Sequence, residues 1–132
     1  MTDEQLLALA KEAREKAYAP YSDFAVGAAL LCRDGSVWTG CNVENAAFSP
    51  TCCAERVAVF RAIAEGKRDF VAIAVVGGKK GTEPVACTPC GVCRQVLSEF
   101  CKDDFFVLLL DENGKPQKHT LDALLPHRFS IS

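Results

Sequence analysis

The chain has 132 residues, a formal net charge of −2, 49% hydrophobic and 24% charged residues, and eight cysteines. Such a length fits one domain with one well-buried core, and the acidic charge, spread along the chain, excludes the clustered basic face of a nucleic-acid binder. No apolar run approaches the ~20 residues of a membrane helix, and Met1–Gln5 lacks the basic-then-apolar order of a signal peptide, so a cytoplasmic protein without membrane attachment is expected.

Thr2 followed three residues later by Gln5 reads as a capping box, and Leu6, Leu9, Ala10, Ala13 and Ala17 form a stripe at helical spacing. This first helix is expected to stop by Tyr18–Ala19, because the residue before Pro20 is pushed out of helical geometry. Phe24–Cys32 and Val37–Val43 are strand-like on either side of Asp34-Gly35, which predicts a hairpin. A second helix is expected over Ala54–Glu65, closed by Gly66. Phe70–Val76 is a nearly continuous apolar run, as in a strand covered on both faces. Gly91–Phe100 fits a third helix, Phe105–Leu110 another buried strand, and Leu121–Leu125 a short helix stopped near Pro126. No repeat, low-complexity tract or linker divides the chain, so a single domain spanning 1–132 is expected. The alternation of strands and helices predicts an α/β fold with crossover connections, its central strands parallel neighbours.

Eight cysteines would mark a disulfide framework in a secreted chain, and metal or catalytic chemistry in a cytosolic one. Cys53-Ala54-Glu55 opens the second helix and Pro89-Cys90-Gly91-Val92-Cys93 opens the third. At helix N-termini, free backbone N–H groups and the positive end of the dipole favour thiolate over thiol. Thiolates from Cys53, Cys90 and Cys93 would hold zinc at about 2.3 Å with a fourth position open, the arrangement of a catalytic zinc. Glu55, two residues after a ligand, is placed to move protons at that open position. Arg56 can donate to ligand sulfurs and offset the surplus negative charge of a three-thiolate site. Cys53 is preferred to Cys52 because it gives the ligand-to-glutamate spacing; Cys52, Cys32, Cys41, Cys87 and Cys101 are expected to pack as small apolar residues. A lone Cys-x-x-C could equally be a redox pair or half of a structural zinc site; its combination with Cys-Ala-Glu points to catalysis. His119 and His127 occupy no ligand position.

Across Tyr18 to Phe129 the sequence resembles the short-chain, three-cysteine, zinc-dependent cytidine deaminases. The resemblance is carried by Pro20–Leu30, Cys41-Asn42-Val43-Glu44-Asn45-Ala46, Cys53-Ala54-Glu55-Arg56, Pro89–Gln95 and Leu124–Phe129. It implies a three-layer fold with a mixed sheet of about five strands and helices on both faces. It also implies one zinc per subunit, and hydrolysis of cytidine and 2′-deoxycytidine to uridine and 2′-deoxyuridine with release of ammonia, a step of pyrimidine salvage. Glu55 would then be the proton shuttle, Asn42 and Glu44 would hold a ribose hydroxyl, and Phe24 and Ala54 would belong to the base pocket. An amide and a carboxylate two apart on an extended segment face one side, which suits a shared hydroxyl. Phe129 would reach a neighbouring subunit's site, implying a homotetramer. His127 and Arg128 stand where smaller residues are usual, and the chain closes three residues past Phe129 without the acidic tail of many relatives. The competing functions are the same chemistry on a nucleoside antibiotic, a polynucleotide editor, which the absence of an aromatic–basic stretch disfavours, and a structural-zinc protein without activity.

Overall fold

Small residues at the middle of the first strand decide how the layers stack. The structure, a computed structural model describing residues 1–131, orders five strands as β2-β1-β3-β4-β5. They are β1 (Phe24–Cys32), β2 (Val37–Cys41), β3 (Phe70–Lys79), β4 (Phe106–Leu110) and β5 (Pro116–Thr120), with helices α1 (Asp3–Arg14), α2 (Ala54–Ala64), α3 (Gly91–Phe100) and α4 (Leu121–Leu124). On one face α2, α3 and α4 cover Ala28, Leu30, Ile73, Val75 and Val107; on the other α1 covers Ala29, Ala74, Val76 and Leu108. With both faces covered, β1, β3 and β4 are apolar along most of their length, as their sequences require.

Two glycines set helix-to-sheet distances. A Cβ at Gly27 would lie 2.0 Å from the Ala10 carbonyl oxygen of α1, and one at Gly40 would lie 2.4 Å from the Ala54 carbonyl oxygen of α2. Both helices therefore rest on the sheet at backbone contact, and β2 carries the first turn of α2 directly. The Thr2–Gln5 capping box forms as expected. Helix α1, however, ends at Arg14: Lys16 and Ala17 donate to carbonyls three residues back, so the chain tightens into turns before Pro20. The buried face of α1 is Leu6, Leu7, Ala10, Ala13 and Arg14, with Leu7 and Arg14 in place of Leu9 and Ala17.

Two further expectations are corrected, and one strand is added. The strand β1 pairs antiparallel with both β2 and β3, so the parallel strands linked by α2, β2 and β3, have β1 between them. The hairpin inserts its first strand at the centre; only β3 and β4, linked by α3, are parallel neighbours. The second strand stops at Cys41, after which Asn42 and Val43 leave the regular ladder, Val43 bridging Tyr18 and Cys52. The edge strand β5 has no apolar alternation; its Pro116 sits where an edge tolerates it, and Lys118 lies 4.5 Å over the Phe106 ring. Among the described residues no helix is long and apolar enough to cross a membrane.

Candidate active site and metal centre

Both sulfur-bearing turns begin where a helix begins. Cys53 is the N-cap of α2 and Cys90 the N-cap of α3, each in extended geometry, and neither side chain makes a capping hydrogen bond. Their thiols therefore remain available while the first-turn N–H groups of two helices add positive potential nearby. Cys93, two residues inside α3, is fully buried. The three sulfurs lie within 4.8 Å of one another, with Cys53 Sγ 3.8 Å from Cys90 Sγ and Cys90 Sγ 3.5 Å from Cys93 Sγ. All eight cysteines are free. Tetrahedral bonds of about 2.3 Å place two sulfurs on one zinc about 3.8 Å apart, whereas a disulfide requires about 2.05 Å. The donor set and its spacing thus fit zinc and exclude a cystine here.

Hydrogen bonding with the Cys93 thiol, followed by the Arg56 guanidinium, holds the Cys53 thiol down to about 5 against the opposing effect of burial. The same sharing, with burial, pushes Cys93 well up. Arg56 Nη2 lies 3.4 Å from Cys53 Sγ and 3.4 Å from the Thr51 carbonyl, and its buried Nε has no hydrogen-bond partner among the described residues. A cation is thus committed to the sulfur cluster from the first turn of α2.

Glu55 is 4% exposed, and desolvation pushes its carboxyl up to about 7, with the negative charge at Cys53 adding to the shift. It faces a cavity of about 190 Å³ walled by Val26, Asn42, Thr51, Cys53, Ala54, Cys87, Thr88 and Cys90. Five of the expected residues, Asn42, Cys53, Ala54, Glu55 and Cys90, therefore share one chamber. Thr51 also belongs to an outer cleft of about 420 Å³ with Tyr21, Ser22, Glu44 and Phe48, so the chamber and the cleft adjoin. The rings of Tyr21 and Phe48 meet edge-on with centroids 6.3 Å apart, and Phe48 holds a left-handed backbone at φ 59°.

Asn42 and Glu44 both hold the rim together. The Asn42 Oδ1 accepts from Val26 N at 2.8 Å and its Nδ2 donates to the Phe24 carbonyl at 2.8 Å, clamping the start of β1. Glu44 accepts from Tyr21 N, Ser22 N and the Ser22 hydroxyl, and that hydroxyl holds its carboxyl below the usual range. An amide nitrogen retains a second N–H and a carboxylate about four acceptor positions, so each keeps capacity for a ligand. Phe24 is not among the residues walling the chamber; its ring edge lies 3.0 Å, and the Cys87 sulfur 2.9 Å, from where a Gly77 Cβ would be. Phe129 is 71% exposed and borders a separate cavity of about 700 Å³ with Gln95, Cys101 and Arg128, away from this chain's sulfur cluster.

Sequence reasoning missed Val26, Thr51, Cys87 and Thr88 as chamber walls. Only the adjacency of Thr51 and Thr88 to the cysteine motifs signalled them. Cys87 was assigned to packing. It does crowd the Cα of Gly77, and burial pushes its thiol up to about 11, but it also faces the chamber.

A mixed sheet with two helix N-termini focused on three thiols and a buried carboxylate defines an α/β protein built to hold zinc beside a proton-carrying group. The pattern of the cytidine and deoxycytidylate deaminase zinc-binding region matches residues 1–109, and the chain belongs to that family. It is 51% identical over 130 residues to a cytidine deaminase of Sporosarcina psychrophila, covering 98% of this chain and 93% of that one. A crystal structure of cytidine deaminase from Burkholderia pseudomallei superposes with a TM-score of 0.88 at 49% identity, over 98% of this chain and all of the other. Blasticidin-S deaminase of Bacillus cereus is a more distant relative, 32% identical over 133 aligned positions, with 96% of this chain and 94% of that protein covered.

Proposed function

We propose that the protein hydrolyses cytidine and 2′-deoxycytidine to uridine and 2′-deoxyuridine, releasing ammonia, as a cytoplasmic enzyme of pyrimidine salvage. The observation that carries this reading is the buried Glu55 carboxyl facing the same chamber as two sulfurs of the three-thiol cluster. The family relationship adds to it.

Cys53, Cys90 and Cys93 would hold one zinc ion per subunit. Bound there, zinc supplies the Lewis acidity that brings the ionisation of a water molecule close to neutral pH. Glu55 accepts a proton from the water that attacks C4 and gives it to ring N3. It then takes the proton of the new C4 hydroxyl and delivers it to the amino group. The C4–N bond breaks, ammonia departs, and C4=O with N3–H remains. One carboxyl thus makes two successive transfers and ends as it began. Arg56 keeps a positive charge against Cys53, which limits the negative charge that three thiolates would otherwise place beside the developing adduct.

The chamber, with Ala54 in its wall, would take the base together with Phe24, while Asn42 and Glu44 hold a ribose hydroxyl where the chamber meets the outer cleft. Glu44 is the charged side chain among the described residues walling that cleft, which favours a nucleoside over a 5′-phosphorylated nucleotide; the Lys80 ammonium acts on Glu44 without walling the cleft. The exposed Phe129 would serve a neighbouring subunit's site within a homotetramer, each chain acting as a single domain. A substrate panel of cytidine, 2′-deoxycytidine, cytidine 5′-monophosphate and blasticidin S tests this assignment. Both nucleosides are expected to turn over, and the nucleotide and the antibiotic to be poor substrates; preference for either of the last two would overturn it.

A further inference from the structure

Arg94 closes the first backbone turn of α3 onto Cys90 and, with its side chain, fixes the residue before it. Its main-chain N–H donates to the Cys90 carbonyl at 2.9 Å, and its side-chain Nε donates to the Pro89 carbonyl at 2.7 Å. From the same guanidinium, Nη1 reaches the Leu124 carbonyl at 2.6 Å, on the last residue of α4. Pro89 is buried and Leu124 is half-buried against the core, so neither carbonyl is freely served by solvent. One planar side chain thus joins the loop that presents Cys90 to the C-terminal segment that carries Phe129. The next residue, Gln95, donates to the Phe129 carbonyl at 3.4 Å and extends the same seam.

No carboxylate serves Arg94 in these contacts; carbonyls fix its orientation. The fixed fork of a guanidinium can satisfy two carbonyls from different segments at once, whereas an ammonium offers a point charge without that planar geometry. We propose that Arg94 is a positioning residue: it sets the place of Cys90 in the sulfur cluster and ties it to the seating of α4. This rests on the reading that Cys90 is a zinc ligand. Partners that orient ligands commonly change metal affinity about 10- to 100-fold when lost.

The test measures zinc release to a colorimetric chelator, together with hydrogen exchange at the Leu125 amide, which donates to the Leu121 carbonyl at 2.8 Å across α4. Zinc content of the unaltered protein reports on the metal site itself, independently of Arg94. Arg94→Gln is expected to release zinc about ten-fold faster or more and to exchange faster at Leu125. Arg94→Lys is expected to fall between the two, restoring part of both, and it gives the reading if the glutamine variant does not fold. Ile73→Ala, in the core of β3, supplies a general loss of stability for comparison. Zinc release within about two-fold of the unaltered protein in Arg94→Gln would overturn the proposal, as would unchanged exchange at Leu125. Ile73→Ala releasing zinc as fast as Arg94→Gln would overturn it too.

Discussion

At the scale of single residues, the site depends on groups that burial makes costly and neighbours make tolerable. Glu55 is buried beside three sulfurs, and Arg56 supplies the nearest positive charge. Glu55→Gln keeps the shape and removes the proton carrier. Zinc content is expected to stay the same while kcat on cytidine falls about 10²–10⁴-fold, which metal analysis and steady-state kinetics on one sample would check. A second prediction concerns the cysteines outside the cluster. Burial pushes the Cys101 thiol up to about 12 and Cys87 up to about 11, so both are almost wholly protonated at pH 8. Peptide mapping after brief iodoacetamide treatment of the folded protein at pH 8 is expected to find these two largely unmodified. Raising the pH increases their thiolate fraction and thus their labelling. Equal labelling at pH 8 and pH 10 would contradict the assignment. The cluster was readable from sequence because ligand spacing and helix starts are local. The participation of Cys87, Thr51 and Thr88 in the chamber was not, since it depends on where the loops before α2 and α3 converge across the sheet.

At the scale of elements, the position of α2 is set from beneath. Gly40 lies so close to the first turn of α2 that any side chain would meet backbone atoms, the Ala54 carbonyl oxygen at 2.4 Å and the Ala58 nitrogen at 2.6 Å. Gly40→Ala is therefore expected to lift α2 and carry Cys53 and Glu55 away from Cys90. Loss of about 1–3 kcal/mol in denaturant unfolding, with weaker zinc retention, is expected. Gly91→Ala is the matched control: a Cβ there meets nothing within 4 Å, and both quantities should hold. The buried Arg14 acts comparably at the other face, donating to the carbonyls of Ala25, Lys79 and Thr82 and so joining α1 to β1, β3 and the following turn. Periodicity predicted α1, α2 and α3 well because each buries an apolar face. It gave no sign of β5, whose residues Pro116–Thr120 are polar and become a strand only because β4 offers an unpaired edge. Nor could the pairing direction of β1 and β3 be read from alternation of strands and helices, since it depends on which hairpin strand enters the centre of the sheet.

At the scale of the whole molecule, two spaces adjoin at Thr51: a chamber by the sulfurs and an outer cleft bearing Glu44, Tyr21 and Phe48. The exposed Phe129 is not among the described residues walling either space, and the proposed role for it calls on a second copy. Phe129→Ala is expected to raise KM for cytidine with the zinc content unchanged, and light scattering of the unaltered protein is expected to give four times the chain mass of 14.3 kDa. A fully active monomer would remove Phe129 from the site. Composition and charge indicated a small substrate over a nucleic-acid strand, and the Cys-Ala-Glu and Cys-x-x-C motifs indicated the chemistry. The proposed assembly has no comparable mark in composition or motif, because an exposed residue such as Phe129 would find its partners only on another chain. In the proposed function, three thiols hold a zinc ion on which hydrolysis of cytidine depends. The most direct measurement is ultraviolet-monitored turnover of cytidine by the purified protein, before and after removal of zinc by a chelator and again after zinc is restored. Turnover proportional to bound zinc, lost on stripping and recovered on reloading, is the expected result; undiminished turnover by zinc-free protein, or none by protein loaded with one zinc per chain, would contradict it.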